Sequence, residues 1–267
     1  MALVSFPGTP SPYAHDPEDD DQDDGSAKMS FLDHLEELRR RIIVSLIAVT
    51  VGFFAAWSVI DRILAFIMAP LTKVIPGGKF IFTEPSEAFM LDLKGAALVG
   101  FILALPIVMW QVWKFVAPGL YANEKKFAIP FALFSTVFFV LGAAFAHYAL
   151  FPWTWAFFGS FSNQNLVFMP SIQPVFSMYT KMLLAMGLVF EMPTVVFFLA
   201  RIGLVTAKLM LSMFKYAILV IFIAAAVLTP GQDIASQCLM AGPMIGLYVV
   251  SIGIAWAFGK RRSSDNA

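Results

Sequence analysis

The chain is poor in the residues on which most chemistry depends. Of 267 residues, one is cysteine (Cys238) and three are histidine (His15, His34 and His147). A single thiol excludes an internal disulfide framework and any cysteine-based metal site. The histidines lie too far apart in sequence to show a metal-ligand spacing. Charge is scarce as well. Asp, Glu, Lys and Arg make up 13% of the chain and sum to zero, where a soluble domain would carry roughly a quarter. Zero net charge leaves no basic footprint for nucleic acid. No Gly-x4-Gly-Lys-Ser/Thr loop occurs, so no nucleotide site is read. The N-terminus reads as carrying no cleavable signal: it is acidic where a signal is basic and has no early apolar core. No cofactor is expected.

What the chain has instead is apolar surface, 59% of its residues. It falls into six runs, at 42–60, 95–113, 127–150, 182–200, 216–228 and 238–258. A helix needs about 20 apolar residues to cross a bilayer. The expected fold is therefore an all-α integral membrane protein with six transmembrane helices. The fifth run stops before Thr229-Pro230-Gly231, and spans five and six are expected to be short. Prolines 106, 118, 130, 193 and 243 fall in or beside the runs. They should kink or end helices, with neighbouring helices covering the freed carbonyls. The predicted product is a curved bundle with a concave groove. No convincing internal repeat is found, which argues against an inverted-repeat transporter.

Basic residues predict the orientation. With a cytoplasmic N-terminus and six spans, thirteen of the eighteen Lys and Arg fall on the cytoplasmic side. This predicts both termini inside, in the bacterial cytoplasmic membrane. Residues 1–28 read as a disordered cytoplasmic tail, because seven acids crowd positions 16–24 and repel one another. Residues 29–260 form the membrane domain and 261–267 a short cytoplasmic tail. The long outer segment 61–94 contains Pro70, Glu84 and Glu87, and residues 88–94 read as a helix leading into span two. A second outer loop is expected over 151–175, with Trp153 and Trp155 in an interfacial aromatic belt.

Three polar groups stand out. The first is Ser30 to Arg41, where Ser30 and Asp33 have capping-box spacing. Here His34, Glu37 and Arg41 share one helix face, while Glu36 points about 100° away from Glu37. An ordinary salt-bridged helix start with basic topology anchors would look the same. The second is Glu191, in the middle of span four. An ionisable group at that depth costs several kcal/mol, so it must be protonated, hydrated or paired. The third is Asp233, Ser236 and Gln237 at the outer turn between spans five and six; Asp233 there also reads as an ordinary helix N-cap.

The segment 31–46, with its core His34-Leu-Glu-Glu-Leu-Arg39, resembles the amino-terminal signature of the TatC family. The likeness continues through Phe82-Thr-Glu-Pro-Ser-Glu-Ala-Phe89 and the stretch from Pro106 to Glu124. It continues again in Phe190-Glu-Met-Pro193 and in Leu228 to Gln237, in family order. The resemblance implies a receptor and scaffold for twin-arginine signal peptides, without enzymatic activity and driven by the proton-motive force. It implies that Glu37 and Glu124 read the arginine pair, with Arg39 as a positioning partner. It places Glu191 on the concave face, and Thr229 and Gln237 against single-span TatA- and TatB-like partners. It makes Pro70, Glu84, Glu87 and Asp233 organisers of the outer face, and the protein multimeric with itself. The alternatives are an intramembrane protease and a small-solute or proton transporter. Glu36-Glu37-x-x-x-Arg41 superficially fits a two-glutamate protease motif, but His147 is the only later histidine, so a metal site cannot be completed. No Gly-x-Ser-Gly nucleophile motif is present.

Overall fold

The computed structural model describes residues 22–72, 80–81, 83–116, 128–162, 169–229 and 234–259. The described residues form helices joined by short turns, with one isolated parallel bridge between Ile81 and Ser171. Five segments are long and apolar enough to cross a bilayer: Asp33–Trp57, Glu87–Phe115, Pro130–Gly159, Ile172–Arg201 and Ile234–Phe258. A sixth apolar helix, Phe214–Leu228, is shorter. The six spans read from composition are thus all present.

Helix α1 (Gln22–Trp57) starts inside the acidic block rather than at Ser30. Helix α2 (Ile60–Thr72) lies where an irregular outer loop was expected, with Pro70 inside it. Ile67, Met68 and Leu71 anchor it by burial in the main core. Helix α3 (Glu87–Val116) includes residues 88–94 as expected and continues through Pro106.

Span three begins in α4 (Ala128–Phe145), passes through a π-helical turn (Ala146–Leu150) and continues as α5 (Phe151–Gly159). The expected loop at 151 is therefore helix for nine more residues. Pro152 sits at the first positions of α5, where its missing N–H costs least, and the widened turn before it admits the ring. As a consequence Trp155 is buried in the core, and only Trp153 is exposed as an interfacial aromatic would be.

Span four breaks at Glu191. Helix α6 (Ile172–Phe190) ends there and α7 (Met192–Arg201) begins, with Pro193 in its first turn. Gly203, at φ +83°, turns the chain out of α7. Thr206 then caps the short α8 (Ala207–Ser212), its Oγ1 accepting the Leu209 N–H at 3.2 Å. Helix α9 (Phe214–Leu228) has 15 residues, about 22 Å at 1.5 Å per residue. It is short, as expected. Helix α10 (Ile234–Phe258) is not: it has 25 residues, with Pro243 inside. Its helix begins at Ile234, four residues ahead of the apolar run, and continues to Phe258.

Half of the α6–α7 span is buried within the protein, against 11% of the α1 span. Helix α6 is thus the central pillar, packed on α4, the π-turn and α9 through Phe176, Met182 and Met186. Helix α1 is peripheral and packs chiefly on α3. Gly52 and Gly100 stand at that crossing with no side chain between the backbones. Close backbone approach at small residues is how helices associate in lipid, where the hydrophobic effect between them is absent. The exposed faces carry Leu46, Val51, Phe54, Leu133, Leu188 and Trp256, the apolar exterior that lipid requires.

Candidate functional site

The middle of α1 and the end of α3 together form a polar cleft of about 520 Å³. It is lined by the acids Asp33, Glu36 and Glu37 and by the bases Arg40, Arg41 and Lys114, with Val44 and Gln111. Glu37 is its ordered centre. Its Oε1 accepts from Arg41 Nε at 3.1 Å and from Arg41 Nη2, a two-pronged pair one helical turn apart. Its Oε2 lies 3.8 Å from His34 Nδ1. Arg41 Nη1 reaches across to Gln111 Oε1 on α3 at 3.4 Å. The His34 ring stacks on Phe115 with centroids 4.4 Å apart, and Lys114 Nζ sits 5.1 Å above the Trp110 ring. Two helices are thus tied together around one carboxylate. Glu37 lies ahead of the apolar run, and the hydrogen bond from Arg41 holds its carboxyl below the ordinary carboxylate range.

Asp33 and Glu36 also face the cleft, both exposed and without an ion-pair partner among the described residues. Glu36 was expected to point away from Glu37. The cleft is wide enough to collect both, since adjacent helical residues diverge by only about 100°. Arg39 is exposed outside the lining. The guanidinium that orients Glu37 is that of Arg41, which was expected on the same helix face. Glu124 and Asp233 lie outside the described residues.

The second polar site is inside the bundle. Glu191 is buried at the α6–α7 break, with the Ser135 hydroxyl of α4 beside its carboxyl. Trp113 Nε1 of α3 donates to Ser135 Oγ at 2.9 Å. The serine oxygen is therefore occupied, and its single proton is free for the carboxylate. Glu191 Oε1 and Thr194 Oγ1 are buried without a hydrogen-bond partner. Phe131 and Phe198 pack against the Trp113 ring. The costly intramembrane acid thus faces one hydroxyl and keeps one oxygen without a partner among the described residues.

The remaining residues are spread over the other end. Thr229 is buried, its hydroxyl donating to Ala225 O at 2.9 Å. Gln237 is half-buried near the start of α10. Pro70 lies in α2 and Glu84 is exposed. Glu87 is buried: its carboxylate accepts from Thr83 N at 3.1 Å, Thr83 Oγ1 at 2.9 Å and Ser171 Oγ at 3.3 Å. With the Ile172 N–H donating to Ile81 O at 3.0 Å, it joins the segment before α3 to the one before α6. Gln111, Phe115, Ser135 and Thr194 were missed as site residues. Gln111, Lys114 and Phe115 have i, i+3, i+4 spacing on α3, a signal that marks one face but not which helix it meets.

Residues 33–243 match the family profile of the Sec-independent protein translocase protein TatC. A Sec-independent protein translocase protein TatC of Desulforapulum autotrophicum is 43% identical over 239 residues, covering 89% of this chain and 88% of that protein. One from Koribacter versatilis is 40% identical over 250 residues, covering 90% and 91%. A crystal structure of a twin-arginine translocase receptor, TatC, superposes with a TM-score of 0.76 at 35% identity, covering 83% of this chain and 97% of that one. By sequence over most of its length and by fold, this multi-pass membrane protein belongs to the TatC family of Sec-independent protein translocase proteins.

Proposed function

We propose that the chain is the signal-peptide receptor and scaffold of a twin-arginine translocase in the bacterial cytoplasmic membrane, with both termini in the cytoplasm. The observation that carries this reading is the carboxylate cleft between the middle of α1 and the end of α3. Arginine is planar, always charged and forks onto a carboxylate through two parallel bonds. Arg41 Nε and Nη2 both converge on Glu37 Oε1, so the carboxylate already receives a guanidinium and keeps Oε2 for a second one. An incoming arginine shares or displaces Arg41, with Asp33 and Glu36 beside it as further acceptors. The second arginine goes to Glu124. Its segment leaves α3 at Val116, immediately past the cleft. Arg39, exposed nearby, supports the cleft without belonging to its lining.

The apolar stretch of the signal then lies along the bundle. TatA- and TatB-like single-span proteins pack against α9 and α10, near Thr229 and Gln237. The open oxygen of Glu191 takes a polar group from such a helix. Glu84, Glu87, Asp233 and Pro70 shape the opposite face. Copies of the chain assemble together, and the proton-motive force drives the transport of folded cargo.

A photo-crosslinking residue at position 111 tests the receptor role. A synthetic signal peptide carrying consecutive arginines should form an adduct there, and its Lys-Lys counterpart should label at most a tenth as strongly. No adduct, or equal labelling by both peptides, would remove the cleft as the reader of the arginine pair.

A further inference from the structure

A second groove of about 660 Å³ runs between α3 and α6. It lies toward the other end of the bundle: Lys94, at its edge, precedes Gln111 by about 26 Å of helix. Two cations from different helices, Lys94 and Lys181, line it. Both are exposed, and neither has an ion-pair partner among the described residues. No described acid lines the groove. Its walls are apolar, formed by Leu98, Phe101, Leu184 and Leu188. Leu188 is 68% exposed, so the groove opens toward lipid.

One hydroxyl in this groove behaves unlike its neighbours. Thr50, Thr136, Thr154 and Thr229 each donate to the carbonyl four residues back. Thr180 lines the groove, and its Oγ1 is buried with no partner among the described residues. A buried hydroxyl without a partner costs free energy that a ligand acceptor can recover.

We propose that this groove binds an anionic diacyl phospholipid of the leaflet opposite the arginine cleft. The phosphate sits between Lys94 and Lys181, and one acyl chain lies along Leu98, Phe101, Leu184 and Leu188. Charge complementarity selects the lipid. Two unpaired ammonium groups above an apolar channel match a negative headgroup on a chain, whereas a peptide helix would need acids at that height.

Native mass spectrometry of the full chain in a non-ionic detergent tests this, by titration with phosphatidylglycerol. Each lysine near an anionic headgroup is worth about fivefold in affinity. The Lys94→Gln/Lys181→Gln variant should therefore bind about 30-fold more weakly. Phosphatidylcholine of the same chains should bind weakly to both proteins, and glycerol phosphate alone should bind to neither. Ala97→Trp, which fills the groove from an exposed position and leaves both lysines, should also lose the lipid. Arg62→Gln, a cation outside this groove, should leave binding unchanged. Undiminished binding by the double variant overturns the proposal. So does equal weakening by Arg62→Gln, which would mean a diffuse charge effect. So does equal affinity for phosphatidylcholine or an inert Ala97→Trp, either of which would assign the groove to another apolar occupant.

Discussion

Replacing Glu37 by Gln should weaken binding of an Arg-Arg signal peptide about 10- to 100-fold, while leaving the protein folded. A hydrogen bond to a charged group contributes about 1.5–3 kcal/mol net, and an arginine fork makes two. Gln keeps the size and one acceptor but loses the charge and the second acceptor. The side chain is about a third exposed, so no buried charge is stranded in the fold. Arg41 keeps its contact with Gln111. A Lys-Lys peptide, which cannot fork, should bind weakly to both proteins and respond little. Since the Arg41 hydrogen bond depresses the Glu37 carboxyl, wild-type binding should be flat through neutral pH. It should decline only as the pH falls below the ordinary carboxylate range. Equilibrium titration of labelled peptide in detergent measures all of this. Equal affinity for wild type and variant would mean that the cleft carboxylate is not the reader.

The second large effect is expected far from the cleft, at the α1–α3 crossing. A Cβ on Gly100 would lie 2.5 Å from Phe53 N and 2.6 Å from Phe53 Cα. Both are backbone atoms that cannot rotate away. A Cβ on Gly52 would collide with the Gly100 carbonyl. Gly100→Ala must therefore push α1 off α3, at about 1–3 kcal/mol, the usual cost of overpacking. Gly100→Leu should cost more. Because the cleft is built from one wall of each helix, the Arg41–Gln111 and His34–Phe115 contacts should loosen together. The expected readouts are a lower temperature for loss of monodispersity and a weakened signal-peptide affinity in the same variant. Gly242, where a Cβ would meet nothing within 4 Å, supplies the control: Gly242→Ala should change neither. A Gly100→Leu protein with unchanged thermal behaviour would show that the helices do not cross this closely.

The six spans were legible because length and apolarity alone identify a helix that lipid can solvate. Several boundaries were not. Pro70 and Pro152 were taken as marks of loop, yet both lie in helices. Pro70 is held by the burial of Ile67, Met68 and Leu71 around it. Pro152 follows a π-turn that makes room for its ring. Glu191 was legible as a problem, since a lone acid in lipid must be answered. Its answer, Ser135 with Trp113 behind it, was not, because it comes from two other helices. The cleft divides the same way. The Glu37–Arg41 pair follows from i, i+4 spacing within α1. Gln111 and Phe115 enter only through the α1–α3 register, which Gly52 and Gly100 set and hydropathy does not encode.

The central claim is that a carboxylate cleft discriminates paired guanidinium groups from paired ammonium groups. The most direct measurement is the affinity of the purified wild-type chain for two signal peptides differing only as Arg-Arg against Lys-Lys, at several salt concentrations. The account predicts at least tenfold tighter binding of Arg-Arg, a preference that persists as salt screens simple charge attraction. Equal affinities, or a preference that vanishes with salt, would contradict it.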